Sequence, residues 1–264
     1  MTPVPLMWSL VIPVKVLAQA KSRLTGLLAA DRAALTLAMA ADTVAAAMAA
    51  PAVAAVIVVT DDPGVGAEMK GLHAVVLADE PAAGLNPALA FGAAYSRGLW
   101  PERGVAGLAA DLPALRPAEL QSALTAAAAL ARGGDPPGPP AGLARGGDPP
   151  GPPAVLARGD DAPSPPAGTG QAFVPDADGT GTTLYAAGPG VAFDPRFGPG
   201  SRARHGAGGA TELDLPLTAG LRRDVDTLDD LRRAAAIGAG PRTAGVLASM
   251  ADRLPKSGQA NRAE

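Results

Sequence analysis

Apolar runs and amphipathic stretches alternate along this chain. Residues 6–14 form an apolar run rich in leucine and valine, which predicts a strand buried on both faces. Residues 31–50 follow a helical period, with Leu37, Ala41, Val44 and Met48 on one face. Residues 53–60 predict a second buried strand, stopped by the turn residues Asp61, Asp62, Pro63 and Gly64. Residues 74–78 predict a short strand. Asn86 and Pro87 then supply an N-cap and first-turn pair for a helix reaching Leu99. A strand over 104–110 ends at Asp111, and a helix follows over 117–131. Further on, 171–175 and 182–187 predict strands around a glycine-rich turn. Thr227 and Asp230 form a capping-box pattern opening a helix that carries Leu228 and Leu231. Strand and helix alternating on short connections imply an α/β protein with a mostly parallel sheet covered on both faces. In such a sheet a ligand binds beyond the carboxyl ends of the strands.

One segment breaks the pattern. Leu130 to Gly142 reads L-A-R-G-G-D-P-P-G-P-P-A-G, 143–155 repeats it almost unchanged, and 156–168 is a degenerate third copy. Its prolines forbid a helix or a central strand, and it offers almost nothing apolar to bury. Residues 132–169 are therefore expected to be a disordered insertion in a single domain over 1–250, followed by a polar tail over 251–264. A Pro-rich ligand for a partner protein is the less favoured reading of the repeat.

Composition narrows the function classes. The chain of 264 residues has no cysteine, which excludes a disulfide-stapled secreted scaffold, a thiolate zinc site and a cysteine nucleophile. A net charge of −3 gives no pull toward nucleic acid or an anionic membrane. The apolar N-terminus lacks a basic leader region and is interrupted by Lys15, so a cytoplasmic protein is expected.

Four segments sit where a ligand would. Lys15, Lys21 and Arg23 follow the first strand in a chain with only four lysines, and such cations suit phosphates. A solvated basic loop fits them equally well, and the Walker spacing is absent. Asp111, at a strand end, suits a divalent cation or a helix cap. Asp224 and Asp226, at i and i+2 in an extended segment, point to one side and suit Mg²⁺, or else form a capping turn. The D-A-D-G-T-G-T-T stretch over 176–183 and F-G-P-G-S over 197–201 bring glycines and hydroxyls that admit an anionic ligand closely. His205 shares a helical face with Ser201 and is expected to be structural. His73 has no polar company.

Each motif is ambiguous alone. P-V-K-V-L-A-Q-A-K-S-R-L at 13–24, G-L-N-P-A-L at 84–89, A-D-L-P-A-L at 110–115, D-G-T-G-T-T at 178–183, F-G-P-G-S-R-A-R-H at 197–205 and D-V-D-T at 224–227 occur in this order. The series resembles the guanylyltransferases of coenzyme F-420 biosynthesis, which act on 2-phospho-L-lactate or, in actinobacteria, on phosphoenolpyruvate. The resemblance covers residues 6–245 apart from the proline-rich repeat.

It implies a three-layer αβα sandwich of nucleotide-diphosphosugar-transferase type, GTP as donor and Mg²⁺ as cofactor. By the same resemblance Asp111, Asp224 and Asp226 hold Mg²⁺ and are catalytic, and Thr183, Gly198 and Ser201 bind the acceptor. Lys15, Lys21, Arg23 and Asn86 bind GTP. The partners implied are the two small molecules, with no nucleic acid and no membrane, and a homodimer is compatible with the sequence. An Arg- and Ala-rich composition suggests a GC-rich actinobacterial source, and hence phosphoenolpyruvate over 2-phospho-L-lactate. A molybdopterin guanylyltransferase would carry a glycine-rich loop where I-P-V-K-V-L-A-Q-A-K-S-R-L stands. A catalytically silent nucleotide-binding protein on the same fold is the rival of a different class.

Overall fold

The computed structural model describes residues 5–15, 17, 24, 27–134, 169–216 and 218–251. Its strands are β1 (Trp8–Pro13), β2 (Val53–Val59), β3 (Val75–Leu77), β4 (Gly104–Leu108), β5 (Gln171–Pro175), β6 (Thr182–Ala187) and β7 (Thr211–Glu212). Its helices are α1 (Ala29–Met48), α2 (Pro63–Gly71), α3 (Leu85–Leu99), α4 (Pro117–Ala131), α5 (Ser201–Ala207), α6 (Ala219–Arg222), α7 (Leu228–Ile237) and α8 (Pro241–Ser249).

The strands form one sheet in the order β3-β2-β1-β4-β6-β5-β7. Pairing is parallel from β3 through β4 and again between β5 and β7. Only β6 runs against its neighbours. Alternation along β1 shows why both faces need cover. Leu10 and Ile12 pack with Val44 of α1 and Leu120 of α4, while Val11 points the other way, toward Ala88, Leu89 and Ala93 of α3. The result is the expected three-layer αβα arrangement. The close seating of α3 depends on Gly92, where an added Cβ would lie 2.5 Å from Val11 Cγ1.

The bounds predicted over 117–131, 171–175 and 182–187 match those observed, and the Thr227–Asp230 capping box is formed. Four details differ from expectation. Residues 61–64 do not merely turn: Asp62 caps α2, whose Val65 and Met69 are too sparse an apolar pair to reveal a helix in sequence. Gly84, with φ +102°, takes the N-cap of α3, so Asn86 sits inside the first turn. Helix α1 is buried around most of its girth because α8 covers the side away from the sheet, yet Met48 is exposed at its end. The short β7, α6 and α8 were not anticipated. Most of the proline-rich repeat, the polar tail beyond residue 251, Lys21 and Arg23 lie outside the described residues. Among the described residues no helix is long and apolar enough to cross a membrane.

Candidate functional site

Asp111 leaves the carboxyl end of β4, and two long-range contacts set its place. The buried Thr43 hydroxyl of α1 accepts the Leu112 N–H (3.1 Å), and the Asp111 carbonyl accepts the Val225 N–H (3.1 Å). The second bond brings the D-V-D segment against the strand end. Val225 is wholly buried in a cluster with Leu24, Leu35, Ala114 and Leu231. Asp224 and Asp226 lie near enough for their charges to interact.

The segment before them is stitched to the end of β5. Arg222 donates to the carbonyls of Pro175 (3.2 Å) and Asp176 (3.0 Å), and its own carbonyl accepts the Ala177 N–H (2.7 Å). This brings in a carboxylate that sequence reasoning left out of the site. Asp176 accepts the N–H groups of Thr180 (2.9 Å) and Gly181 (2.8 Å), closing the glycine-rich turn ahead of Thr183. Burial, and then the negative charges of Asp111, Asp176 and Asp226, push the Asp224 carboxyl up to about 7. Among the described residues no three such side chains converge into a ready-made metal cage. The arrangement is a patch of mutually repelling carboxylates whose charge an added cation would relieve.

Thr183 is tied to the chain after β4, its carbonyl accepting the Ala109 N–H (2.9 Å). Its hydroxyl and that of Ser201 are buried and have no hydrogen-bond partner among the described residues. Two orphaned hydroxyls at expected acceptor positions are costly unless a ligand meets them. Gly198, between them in the chain, has φ +114°, a conformation L side chains rarely adopt.

The loop that carries Gly198 is heavily braced. The Arg204 guanidinium donates to the carbonyls of Arg196, Phe197 and Pro199. His205 Nε2 accepts the Arg196 N–H (2.9 Å), so that nitrogen carries no proton, and Nδ1 pairs with the Thr182 hydroxyl (3.0 Å). The ring stacks on Tyr185 at 4.6 Å between centroids. Burial, followed by the Arg204 and Arg196 charges, lowers its pKa to about 4. His205 is thus a neutral structural hub, as expected. Asn86 is engaged within the protein: both ends of its amide are bonded to the backbone of Phe197.

Lys15 is exposed at the carboxyl end of β1. Leu17, two residues on, is held by Asp62, whose carboxylate accepts the N–H groups of Leu17 (3.0 Å), Gly64 (2.9 Å) and Val65 (3.1 Å). The Leu17 bond is the main cause holding this carboxyl below its ordinary pKa. The Asp-Pro pair, a cap followed by a proline at the first helical position, is the sequence signal that could have revealed this role. A shallow concavity of about 610 Å³ between α5 and β7 contains Arg202 and Glu212 but none of the clustered aspartates.

Residues 8–133 match the family described as guanylyl transferase CofC like. A phosphoenolpyruvate guanylyltransferase from Thermomonospora curvata is 51% identical over 245 residues, covering 93% of this chain and 90% of that one. Another, from Streptomyces coelicolor, is 49% identical over 246 residues, covering 92% and 97%. A crystal structure from Desulfovibrio desulfuricans G20 described as a nucleotide-diphospho-sugar transferase matches with a TM-score of 0.56 at 14% identity, over 93% of this chain and 96% of that one. A nucleotidyl transferase from Methanothermobacter thermautotrophicus matches with a TM-score of 0.50 at 21% identity, over 88% and 97%. At such identities the two structures speak to the fold alone, which is of nucleotide-diphosphosugar-transferase type.

Proposed function

The chain belongs to the CofC-like guanylyl transferase family, and from that premise we propose that it transfers GMP from GTP to the phosphate of phosphoenolpyruvate. An oxygen of the acceptor phosphate attacks the α-phosphorus of GTP, the bond from that phosphorus to the β-phosphate bridge breaks, and diphosphate leaves with the electron pair. The product is enolpyruvyl-diphospho-guanosine, an intermediate toward the deazaflavin coenzyme F-420. The acceptor is already anionic at neutral pH, so no protein nucleophile or base is required. Positioning and charge stabilisation supply the rate.

The observations that carry the site assignment are the carboxylates around Asp224 and the partnerless buried hydroxyls of Thr183 and Ser201. Asp111, Asp224 and Asp226 would hold Mg²⁺. Their oxygens suit a hard cation, and Mg²⁺ commonly takes one or two carboxylates and completes its shell with phosphates and water. Bound there, the ion would offset charge on the phosphates during the in-line transfer. Thr183 and Ser201 would donate their hydroxyls to the acceptor, with the Gly198 N–H beside them. Lys15, with Lys21 and Arg23 from the same loop, would neutralise the triphosphate. The net charge of −3 and the absence of a membrane-spanning helix among the described residues support a cytoplasmic enzyme of small molecules.

The test is diphosphate release from GTP and Mg²⁺ with phosphoenolpyruvate or 2-phospho-L-lactate as acceptor. Release with phosphoenolpyruvate is expected. Release with 2-phospho-L-lactate alone would overturn the acceptor assignment, and release with neither from folded protein would overturn the activity.

A further inference from the structure

We propose that Asn86 is a positioning residue for the acceptor loop rather than a nucleotide contact; this rests on reading Gly198 and Ser201 as acceptor-binding. Its side-chain oxygen accepts the Phe197 N–H at 2.8 Å, and its amide nitrogen donates to the Phe197 carbonyl at 3.1 Å. Both backbone groups of one residue are met by a single side chain. The amide orientation is fixed by the partners, since only oxygen can accept that N–H. Placement inside the first turn of α3 is what makes this possible: Gly84 caps the helix, leaving the Asn86 amide free to reach outward.

Phe197 immediately precedes Gly198, and the chain then turns through Gly200 (φ +73°) into Ser201 at the start of α5. A displacement of the Phe197 backbone therefore carries the Gly198 N–H and the Ser201 hydroxyl with it. The guanidinium of Arg204 braces the same loop, but it belongs to the same stretch of chain and cannot anchor that stretch to the sheet. Arg202 anchors the far end of the stretch to Glu212 of β7, and two further side chains hold the end that carries Phe197. His205 links Arg196 to Thr182 of β6, and Asn86 links Phe197 to α3. Helix α3 is itself pressed on β1 and β2 through Gly92, so the Asn86 tether is referred to a rigid base. The Phe197 ring supports it by packing in the cluster with Leu89 and Ala93 of that helix.

The experiment compares Asn86→Ala and Asn86→Asp with the wild type, in the full chain. For Asn86→Ala, losing both bonds should raise the KM for phosphoenolpyruvate roughly ten-fold, with the KM for GTP changed less than about two-fold. Hydrogen exchange over residues 196–201 should quicken in protein without substrate. Asn86→Asp keeps the acceptor oxygen but, when ionised, sets a negative charge against the Phe197 carbonyl. An ordinary aspartate stays ionised over the working pH range, so the acceptor KM should rise at least as far as in Asn86→Ala. A raised KM for GTP with unchanged acceptor KM and unchanged exchange would overturn the proposal in favour of a nucleotide contact. An acceptor KM for Asn86→Asp equal to that of wild type would also overturn it. If wild type turns over no acceptor, the proposed activity fails, while the exchange arm still decides whether Asn86 holds the loop: unchanged exchange there overturns the tether.

Discussion

Replacing Asp224 with asparagine should stabilise the metal-free protein while abolishing turnover. The carboxyl has an ordinary pKa of 3.8 and is raised to about 7 by burial and by Asp111, Asp176 and Asp226. Between these values the native state holds a proton that the unfolded chain releases, so native stability falls by about 1.4 kcal/mol per unit as pH rises. Integrated to pH 8, ionised Asp224 costs the fold on the order of 4 kcal/mol. At pH 5 the cost is on the order of 2 kcal/mol, and it vanishes only below about pH 3. Asparagine keeps the shape and removes the charge. Asp224→Asn should therefore raise Tm at pH 8 by about 5–10 °C, allowing for partial solvent screening and the size of the domain.

His205 complicates the wild-type profile. Its pKa is lowered from 6.5 to about 4, so its contribution is lost as pH falls through that window, opposite in sign to Asp224. The informative quantity is the difference between variant and wild type, in which His205 cancels. Thermal melts in chelator at pH 5, 6, 7 and 8 would give that difference directly. Millimolar Mg²⁺ should raise the wild-type Tm at pH 8 and leave that of Asp224→Asn nearly unmoved. A variant less stable than wild type at pH 8 in chelator, or one that retains turnover, would refute the electrostatic reasoning and the metal assignment respectively.

The other expectations are narrower. Thr183→Val removes a buried hydroxyl that has no partner among the described residues, so its stability in urea should be unchanged or higher by up to about 1 kcal/mol; its acceptor KM should rise, and a large loss of stability would show that the hydroxyl already has a partner. Asp62→Ala leaves three backbone N–H groups without their acceptor and should cost about 1–2 kcal/mol in denaturant unfolding. Because Leu17 is one of the three, the KM for GTP should rise as well, and an unchanged value would detach this loop from the triphosphate. Deleting residues 133–167 should leave diphosphate release within about two-fold of wild type. A Cβ built at Gly170 would lie 3.8 Å from the Ala131 Cα, so a short connection can close the gap; a large loss of activity would revive a working role for the repeat.

The local features of this protein were legible because local spacing encodes them. Helix α4 begins at its proline and ends where apolar periodicity stops, and the Thr227–Asp230 box needs only residues three apart. The D-V-D spacing placed two carboxylates close together before any tertiary contact was known. Ordered motifs also pointed to the family, since each survives as a short string. Convergence was not legible in the same way. Asp176 reads as a turn residue and Asp62 as a stop, and only the folded chain brings Asp176 to Asp224 and Asp62 to Leu17. Asn86 shows the limit most clearly. Its local pattern favours a helix cap, but Gly84 takes that place, and the amide spends both ends on a residue 111 positions away. Periodicity fixes which face of an element is apolar. Which polar groups meet across the assembled layers, and hence the proton affinity of Asp224 and the partner of Asn86, depends on pairings that no local spacing records.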